Sequence, residues 1–272
     1  MRPFAQFSRL FSTGFGAIIF ILSAQSAGAQ DQADNRNKAA GKLYIAEAAQ
    51  ITRDGETRVA RQGETVSGEG TTITTNAKDR TIVVFSNYTV MVIEPGSLVK
   101  IRKFVQEIFQ GVRIRDLEPS ISHSDVFLAY GGIELCVSSL LTGSTMIYAT
   151  PHAQVDIRRG RVAIRVVNNS TIVDLLDGDA SVRCGDWDAN GQVLRSGERA
   201  VIKSADRQIL ITTVAANEIA ELAGRSLLAC QIRQTVAFAS DEAAGGDNAI
   251  AAKPVVPVAL PTNITISPDR LP

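Results

Sequence analysis

The sequence is poor in the side chains that carry most enzyme chemistry. Its 272 residues include two histidines, His123 and His152, three cysteines and one tryptophan. Neither histidine stands in a metal-ligand spacing, and there is no Cys-x-x-Cys pair, no Gly-x-Ser-x-Gly elbow and no glycine-rich phosphate loop. We therefore expect a protein that is not an enzyme and that carries no cofactor or metal.

Charge of one sign is also missing. The 28 lysines and arginines balance the 28 aspartates and glutamates, so the formal net charge is zero. A protein without a general basic field has little electrostatic attraction for a phosphate backbone. We therefore do not expect a nucleic-acid partner.

Long apolar runs are absent beyond the amino terminus. Arg2 and Arg9 precede a short apolar stretch at residues 15–22, and Ala27-Gly28-Ala29 fits a small-x-small cleavage site. This stretch is shorter than the ~20 residues that a spanning helix needs. The pattern predicts a signal peptide over residues 1–29, cleaved after Ala29. The mature chain would then be periplasmic or secreted, with no transmembrane segment.

What the sequence does contain is a long succession of strand patterns between residues 42 and 212. Apolar and polar residues alternate through Val162, Ile164 and Val166, and residues 81–85 and 89–93 are rich in β-branched side chains. Both patterns are typical of strands with a buried face. They predict an all-β domain over residues 42–212, built as a twisted stack of short strands that is solenoid-like or sandwich-like.

The ends of the chain differ in composition from this β domain. Residues 30–41 are polar and predict a flexible leader. Residues 214–236 have apolar side chains at helical spacing and predict a small C-terminal helix packed on the strands. Residues 239–272 are rich in alanine, proline and glycine without a period, which predicts a disordered tail.

Several glycines are candidates for structural turns, because glycine adopts positive φ at little steric cost. Gly160, Gly178 and Gly197 are each followed by a charged residue and a return to β-branched residues, and Gly63 begins a similar pattern. The pair Gly131-Gly132 also predicts a turn, between two apolar runs.

In an oxidising compartment, the three cysteines could form one disulfide and leave one thiol over. Spacing does not choose the pair. A bridge between Cys184 and Cys230 would tie a late segment back to the strands and is our preferred pairing. Three buried thiols fit the sequence about as well.

One cluster of charge stands out, formed by Arg158, Arg159, Arg161 and Arg165. In a regular strand, Arg161 and Arg165 share the face opposite to the apolar side chains. A solvated face is the simpler interpretation. The alternative is a binding patch for an anionic envelope polymer or an acidic partner.

Two segments of the chain resemble a known family, the FecR-like domain, which is the extracytoplasmic part of the ferric-dicitrate regulator. The resemblance spans roughly residues 42–212. The first segment is similar to the family's glycine turn, threonine-ended strand and hairpin, and the second to its Thr-Pro-x-Ala segment and closing turns. The first comprises residues 63–66, 73–75, 81–87 and 95–101, and the second comprises residues 150–153, 157–158 and 162–166 with Gly178 and Gly197.

The resemblance implies an all-β extracytoplasmic domain without enzyme activity. Arg158-Arg159-Gly160-Arg161 departs from the family's Arg-Gly-Thr, and the classical regulator's anti-sigma segment and spanning helix have no counterpart here. The leading hypothesis is an exported, non-catalytic envelope module that binds or scaffolds a protein partner or an envelope polymer. The alternatives are a sensory accessory to a membrane-embedded signalling regulator and a carbohydrate-active enzyme on a β-solenoid.

Overall fold

A computed structural model describes residues 38–110, 116–184, 191–203, 208–240 and 249–255. The predicted signal peptide lies outside these described residues, as do most of the predicted leader and the end of the predicted tail.

Strands dominate the described chain. One sheet contains 16 strands, and a separate antiparallel pair, β17 and β18, follows the helix. The strands are β1 (Lys38–Ala40), β2 (Lys42–Ile45), β3 (Ala49–Arg53), β4 (Glu56–Ala60), β5 (Thr65–Ser67), β6 (Thr72–Thr74), β7 (Thr81–Phe85), β8 (Val90–Ile93), β9 (Leu98–Glu107), β10 (Ser122–Val137), β11 (Thr145–Ala149), β12 (Gln154–Val167), β13 (Ser170–Arg183), β14 (Gln192–Leu194), β15 (Glu198–Lys203), β16 (Ile209–Thr213), β17 (Val236–Ser240) and β18 (Ile250–Pro254).

The sheet folds around one large apolar cluster, which we call the main core. Its members come from both ends of the sheet, from Ile51 in β3 to Ile202 in β15, and almost all are fully buried. A single open layer could not bury such a face, so the sheet packs on itself. The all-β prediction is confirmed.

The central strands β7, β8 and the second half of β10 are buried on both faces. Their side chains alternate, as the period of two requires: Val83 and Phe85 face the main core, while Ile82 and Val84 face the other way. The second set belongs to a smaller cluster, the helix-side core. Its other buried members are Ala39, Tyr88, Val90, Val92, Phe109, Cys136, Ala229, Val236, Phe238, Ala249 and Ile250.

The helix-side core is covered by one α-helix, α1 (Ala216–Arg233). The helix buries only four of its residues, Leu222, Ser226, Ala229 and Arg233, and the residue before it, Ala215, provides no side-chain cap. The predicted C-terminal helix within residues 214–236 is therefore confirmed, as a single element. Its narrow buried stripe means that other contacts must help to hold it on the sheet.

Two of the four predicted turn glycines are turns. Gly63 and Gly197 have positive φ, and a side chain added at either would meet open space. Gly160 and Gly178 instead lie inside β12 and β13 and pair with each other across the two strands. A Cβ at Gly160 would come within 2.0 Å of the Asp177 carbonyl oxygen. The turn prediction is wrong for this pair, because the glycines permit close backbone contact at a bend in a long hairpin.

Glycines that predicted a turn also lie inside a strand in β10. Gly131 and Gly132, which predicted a turn, lie within one continuous strand. Gly131 has a φ of +87°, and β10 changes partners there, from β9 and β11 to β8 and β12. A bend at glycine therefore lets one strand serve two parts of the folded sheet.

The predictions for the two ends of the chain need correction. Residues 38–40 of the predicted leader form β1, which pairs with β9. Part of the predicted tail forms the β17–β18 pair. Phe238 is buried against the Tyr88 ring at 5.7 Å between centroids, and its backbone N–H donates to the Tyr88 hydroxyl at 3.1 Å. Alternation in these short stretches was hidden by their alanine-rich composition.

Candidate functional site

A disulfide anchors α1 to the central strands. It joins Cys136 in β10 to Cys230 in α1, whose Cα atoms lie 5.4 Å apart. The predicted pairing of Cys184 with Cys230 is wrong, because Cys184 follows the end of β13 and packs beside the main core instead. Of the two possible partners of Cys230, Cys136 is the one that faces the helix-side core, where α1 lies. A disulfide is typical of proteins in oxidising compartments.

The arginines of the predicted cluster all have hydrogen-bond acceptors, in their own hairpin and in the loop before β11. Arg158 donates to the Ser144 carbonyl oxygen at 2.9 Å. Three aspartates on β13 pair with the other three arginines: Arg159 with Asp179 at 2.6 Å, Arg161 with Asp177 at 2.6 Å and Arg165 with Asp174 at 2.7 Å. The cluster therefore offers little net positive charge to an anionic polymer.

Arg161 and Arg165 do share a face, as predicted, but that face lies under α1. Ala163, between them on the strand, is buried against Leu222 of the helix and Val214 before it. Arg161 also lies 3.5 Å from the Ser226 hydroxyl of α1. The face is therefore only partly solvated, because α1 packs beside it and leaves 28% of the Arg161 side chain and 27% of the Arg165 side chain exposed.

A chain of ion pairs runs from β12 to the start of α1. Arg165 contacts Asp174, Asp174 contacts Arg199 at 2.5 Å, and Arg199 contacts Glu218 at 2.5 Å. The Asp174 side chain is 1% exposed, so both of its arginine partners are needed to compensate its desolvation. Two arginines and two carboxylates make this chain electrically balanced.

A second group of charges surrounds Arg225 of α1 and is not balanced. Its guanidinium contacts Glu134 of β10, lies 2.8 Å from Glu221 and lies 3.9 Å from Glu94. Glu134 is 2% exposed, whereas Glu221 is largely solvated. Three carboxylates around one guanidinium leave an excess of negative charge where the middle of α1 packs on the sheet.

Glu94, Glu134 and Arg225 line a cleft of about 700 Å³, which we call the charged cleft. Its basic side chains are Lys78, Arg80, Arg165 and Arg225. Its acidic side chains are Glu47, Asp79, Glu94 and Glu134, and the apolar lining comes from Val92, Pro95 and Leu228. Arg165 is the one member of the predicted arginine cluster that the structure brings to this cleft.

Glu134 is the most unusual group in the charged cleft. One carboxylate oxygen, Oε1, is paired with Arg225, but the other, Oε2, has no hydrogen-bond partner among the described residues. Burial, reinforced by the nearby Glu94 carboxylate, raises the pKa of Glu134 despite the opposing charge of Arg225. Arg165 Nε, a donor, is also buried without a partner among the described residues.

Sequence reasoning missed this site, although a signal was present. Glu134 interrupts the apolar run Ile133 to Val137, and Asp174 interrupts Ile172 to Leu176. A single acid within a strand that is otherwise apolar predicts a buried carboxylate that needs a partner. The partners, Arg225 and Arg199, are 91 and 25 residues away, so the sequence does not reveal them.

Membrane-spanning helices and clustered metal ligands are both absent from the described residues. No helix is long and apolar enough to cross a bilayer. No group of three or more histidines, cysteines, aspartates or glutamates is arranged to hold a metal ion. His152 Nδ1 lies 3.1 Å from the Thr171 hydroxyl, and neither histidine lines the charged cleft.

Comparison with known proteins gives a limited similarity. No family model matches the sequence, and no curated protein matches it. Two crystal structures of a "putative anti-sigma factor" from Parabacteroides distasonis are similar in part, at TM-scores of 0.41 and 0.42 and identities of 16% and 15%. Each similarity covers 55% of this chain and 62% of the other protein. A similarity at this level assigns neither family nor function, and the FecR-like resemblance stays a prediction.

Proposed function

We propose that this protein is an exported, non-catalytic module of the cell envelope that binds a partner protein in the charged cleft. The observation that carries the proposal is the cleft itself, about 700 Å³ in volume and bordered by a helix that a disulfide fixes in place. Ligand sites in proteins commonly have volumes of about 300–1,000 Å³. A rigid border and a row of charged side chains suit selective binding.

The chemistry of the charged cleft supports binding over catalysis. Among the described residues, its lining contains no histidine, cysteine or serine. A glycoside hydrolase needs two carboxyl groups on either side of the bond to be cleaved. Here one guanidinium, that of Arg225, contacts both Glu94 and Glu134, so the two carboxylates lie side by side. This arrangement favours recognition of charge rather than acid–base attack.

The distribution of charge supports a protein partner over an anionic polymer. The cleft lining contains four acidic and four basic side chains, and the arginine cluster is paired with acceptors. A polyanion would meet as much repulsion as attraction there. A protein surface that carries both signs of charge can match such a site, which also improves selectivity.

The experiment is affinity capture from envelope extracts with the full mature chain, in wild-type form and in two charge-reversal forms. Arg80→Glu alters the cleft, whereas Lys103→Glu makes the same change on β9, away from it. We expect a partner that wild type and Lys103→Glu retain and that Arg80→Glu loses. Equal capture by all three forms would contradict a binding role of the cleft. Capture of a membrane-embedded regulator would favour the sensory-accessory hypothesis.

A further inference from the structure

Glu134 has one carboxylate oxygen without a hydrogen-bond partner among the described residues. The Glu134 side chain is 2% exposed and lines the charged cleft. Oε1 accepts from Arg225 Nε, while Oε2 accepts from none of the described residues. A buried carboxylate oxygen without a donor is costly, so native proteins almost always supply one. The missing donor can come from a ligand.

The charges around this oxygen determine which sign of charge the ligand should carry. Arg225 shares its single positive charge among Glu94, Glu134 and Glu221. Of the other basic groups that line the cleft, Arg165 is already paired with Asp174, and Arg80 lies 3.5 Å from Glu47. The floor of the cleft thus has more negative than positive charge, and a cationic donor is favoured over a neutral one.

We propose that the floor of the charged cleft binds the side-chain ammonium group of a lysine in the partner protein, with Glu134 Oε2 as its main acceptor and Glu94 as a second carboxylate. This inference rests on the proposed function for the source of the lysine, while the ammonium subsite itself can be tested alone.

The geometry favours an ammonium group over a guanidinium group. An arginine binds a carboxylate best through two parallel hydrogen bonds, which require both oxygens. Oε1 of Glu134 is already taken by Arg225, so a second guanidinium would find one oxygen. An ammonium group is compact and needs only one strong acceptor at a time.

The apolar lining suits the rest of a lysine side chain. Val92, Pro95 and Leu228 line the same cleft as Glu134. A lysine stem of four methylene groups can pack along such side chains while its charged end reaches an acceptor. A bare metal ion or a short amine would leave this apolar lining in contact with water.

A proton is the competing occupant of the site. Glu94 lies close enough to raise the pKa of Glu134, so at low pH the two carboxyl groups can hold a proton where the ammonium group would bind. Arg225 opposes that proton, and Arg165, held by Asp174, is the remaining charged group at the floor. Binding of the ammonium group should therefore strengthen as the pH rises through the titration of Glu134.

The test uses three small probes and the full mature chain, with binding measured by titration calorimetry. The first probe is Nα-acetyl-lysine-N-methylamide, the second is the same compound acetylated on Nε, and the third is the arginine equivalent. We expect the lysine probe to bind wild type at least about ten-fold more tightly than either of the others. The difference should shrink at low pH.

Variants identify the acceptor. Glu134→Gln keeps the shape of the side chain and removes its charge, and it should weaken the lysine probe by about ten-fold. Glu94→Gln should weaken it less, and Glu56→Gln on β4, outside the cleft, should leave it unchanged. Circular dichroism and the intact disulfide confirm that each variant is folded.

The outcomes are decisive. No saturable binding of the lysine probe to wild type would overturn the inference, as would equal binding of the arginine probe or undiminished binding to both the Glu134→Gln and Glu94→Gln variants. If the proposed function failed and the ammonium subsite did not, the lysine probe would bind as expected. The Arg80→Glu variant would then still capture every protein that wild type captures.

Discussion

The two faces of the central strands β7, β8 and β10 are closed in different ways. One face lies on the main core, where apolar side chains from the folded sheet fill the space without ion pairs. The other face lies under α1 and the β17–β18 pair, and it contains the disulfide, the buried Glu134 and the charged cleft. A sheet that folds on itself needs only apolar contacts, whereas a helix with four buried residues also depends on covalent and ionic ones.

Two buried acids differ in how fully their carboxylates are hydrogen-bonded. Glu118, shortly before β10, is 1% exposed and accepts hydrogen bonds from the Ser122 and Ser144 hydroxyls and the Leu141 backbone N–H. Glu134 has one arginine and an oxygen without a partner among the described residues. Burial raises the pKa of both groups. Glu118 is enclosed as a structural group, and Glu134 is left able to accept a ligand.

The largest effect should come from the main core. Phe85 is fully buried and packs edge-to-face on Phe104 at 5.2 Å between ring centroids. Phe85→Ala should lower the free energy of unfolding by about 3–5 kcal/mol, because it leaves a cavity as well as losing apolar burial. Urea denaturation measures the loss. Val83→Ala on the main-core face and Val84→Ala on the helix-side face are a matched pair, and an equal loss from the two would contradict the difference between the faces.

Loss of the disulfide should come next. Replacing both Cys136 and Cys230 with alanine should cost about 2–4 kcal/mol, since the bridge constrains a long loop in the unfolded chain. Hydrogen exchange should show the change first in α1, whose backbone amides would exchange faster than those of β12. If α1 and β12 lost protection equally, the helix side would not be the more weakly held region.

The smallest effect concerns the pH dependence of Glu134. Its pKa is raised above the ordinary value of 4.5 in the folded state, so folding favours the protonated form. Its contribution to stability is therefore complete below the unfolded pKa and is lost as the pH rises through the folded pKa.

Wild type should lose unfolding free energy relative to Glu134→Gln as the pH rises from the unfolded pKa of Glu134 to its raised folded pKa. Urea denaturation of both proteins at several pH values measures it. A constant difference between them from acid to neutral pH would show that Glu134 does not titrate differently in the folded protein.

The sequence predicted the features that depend on local pattern. The β-branched residues at 81–85 placed β7, the alternation at 162–166 placed part of β12, and helical spacing around Leu222 placed α1. Gly160 was misassigned because a turn and a close strand contact both select glycine, and only the pairing with Gly178 distinguishes them. The partners of Cys230 and Arg225 lie in β10, and their distance along the chain hides them from any local pattern.

The bond between Cys136 and Cys230 has one more consequence. It joins two points 94 residues apart, so the intervening chain, with β11 to β16, is a covalent ring. A protease that cuts this ring once cannot release a fragment, and the nicked protein would migrate as one species until a thiol is added. Digestion products should therefore separate on a reducing gel and remain together on a non-reducing one.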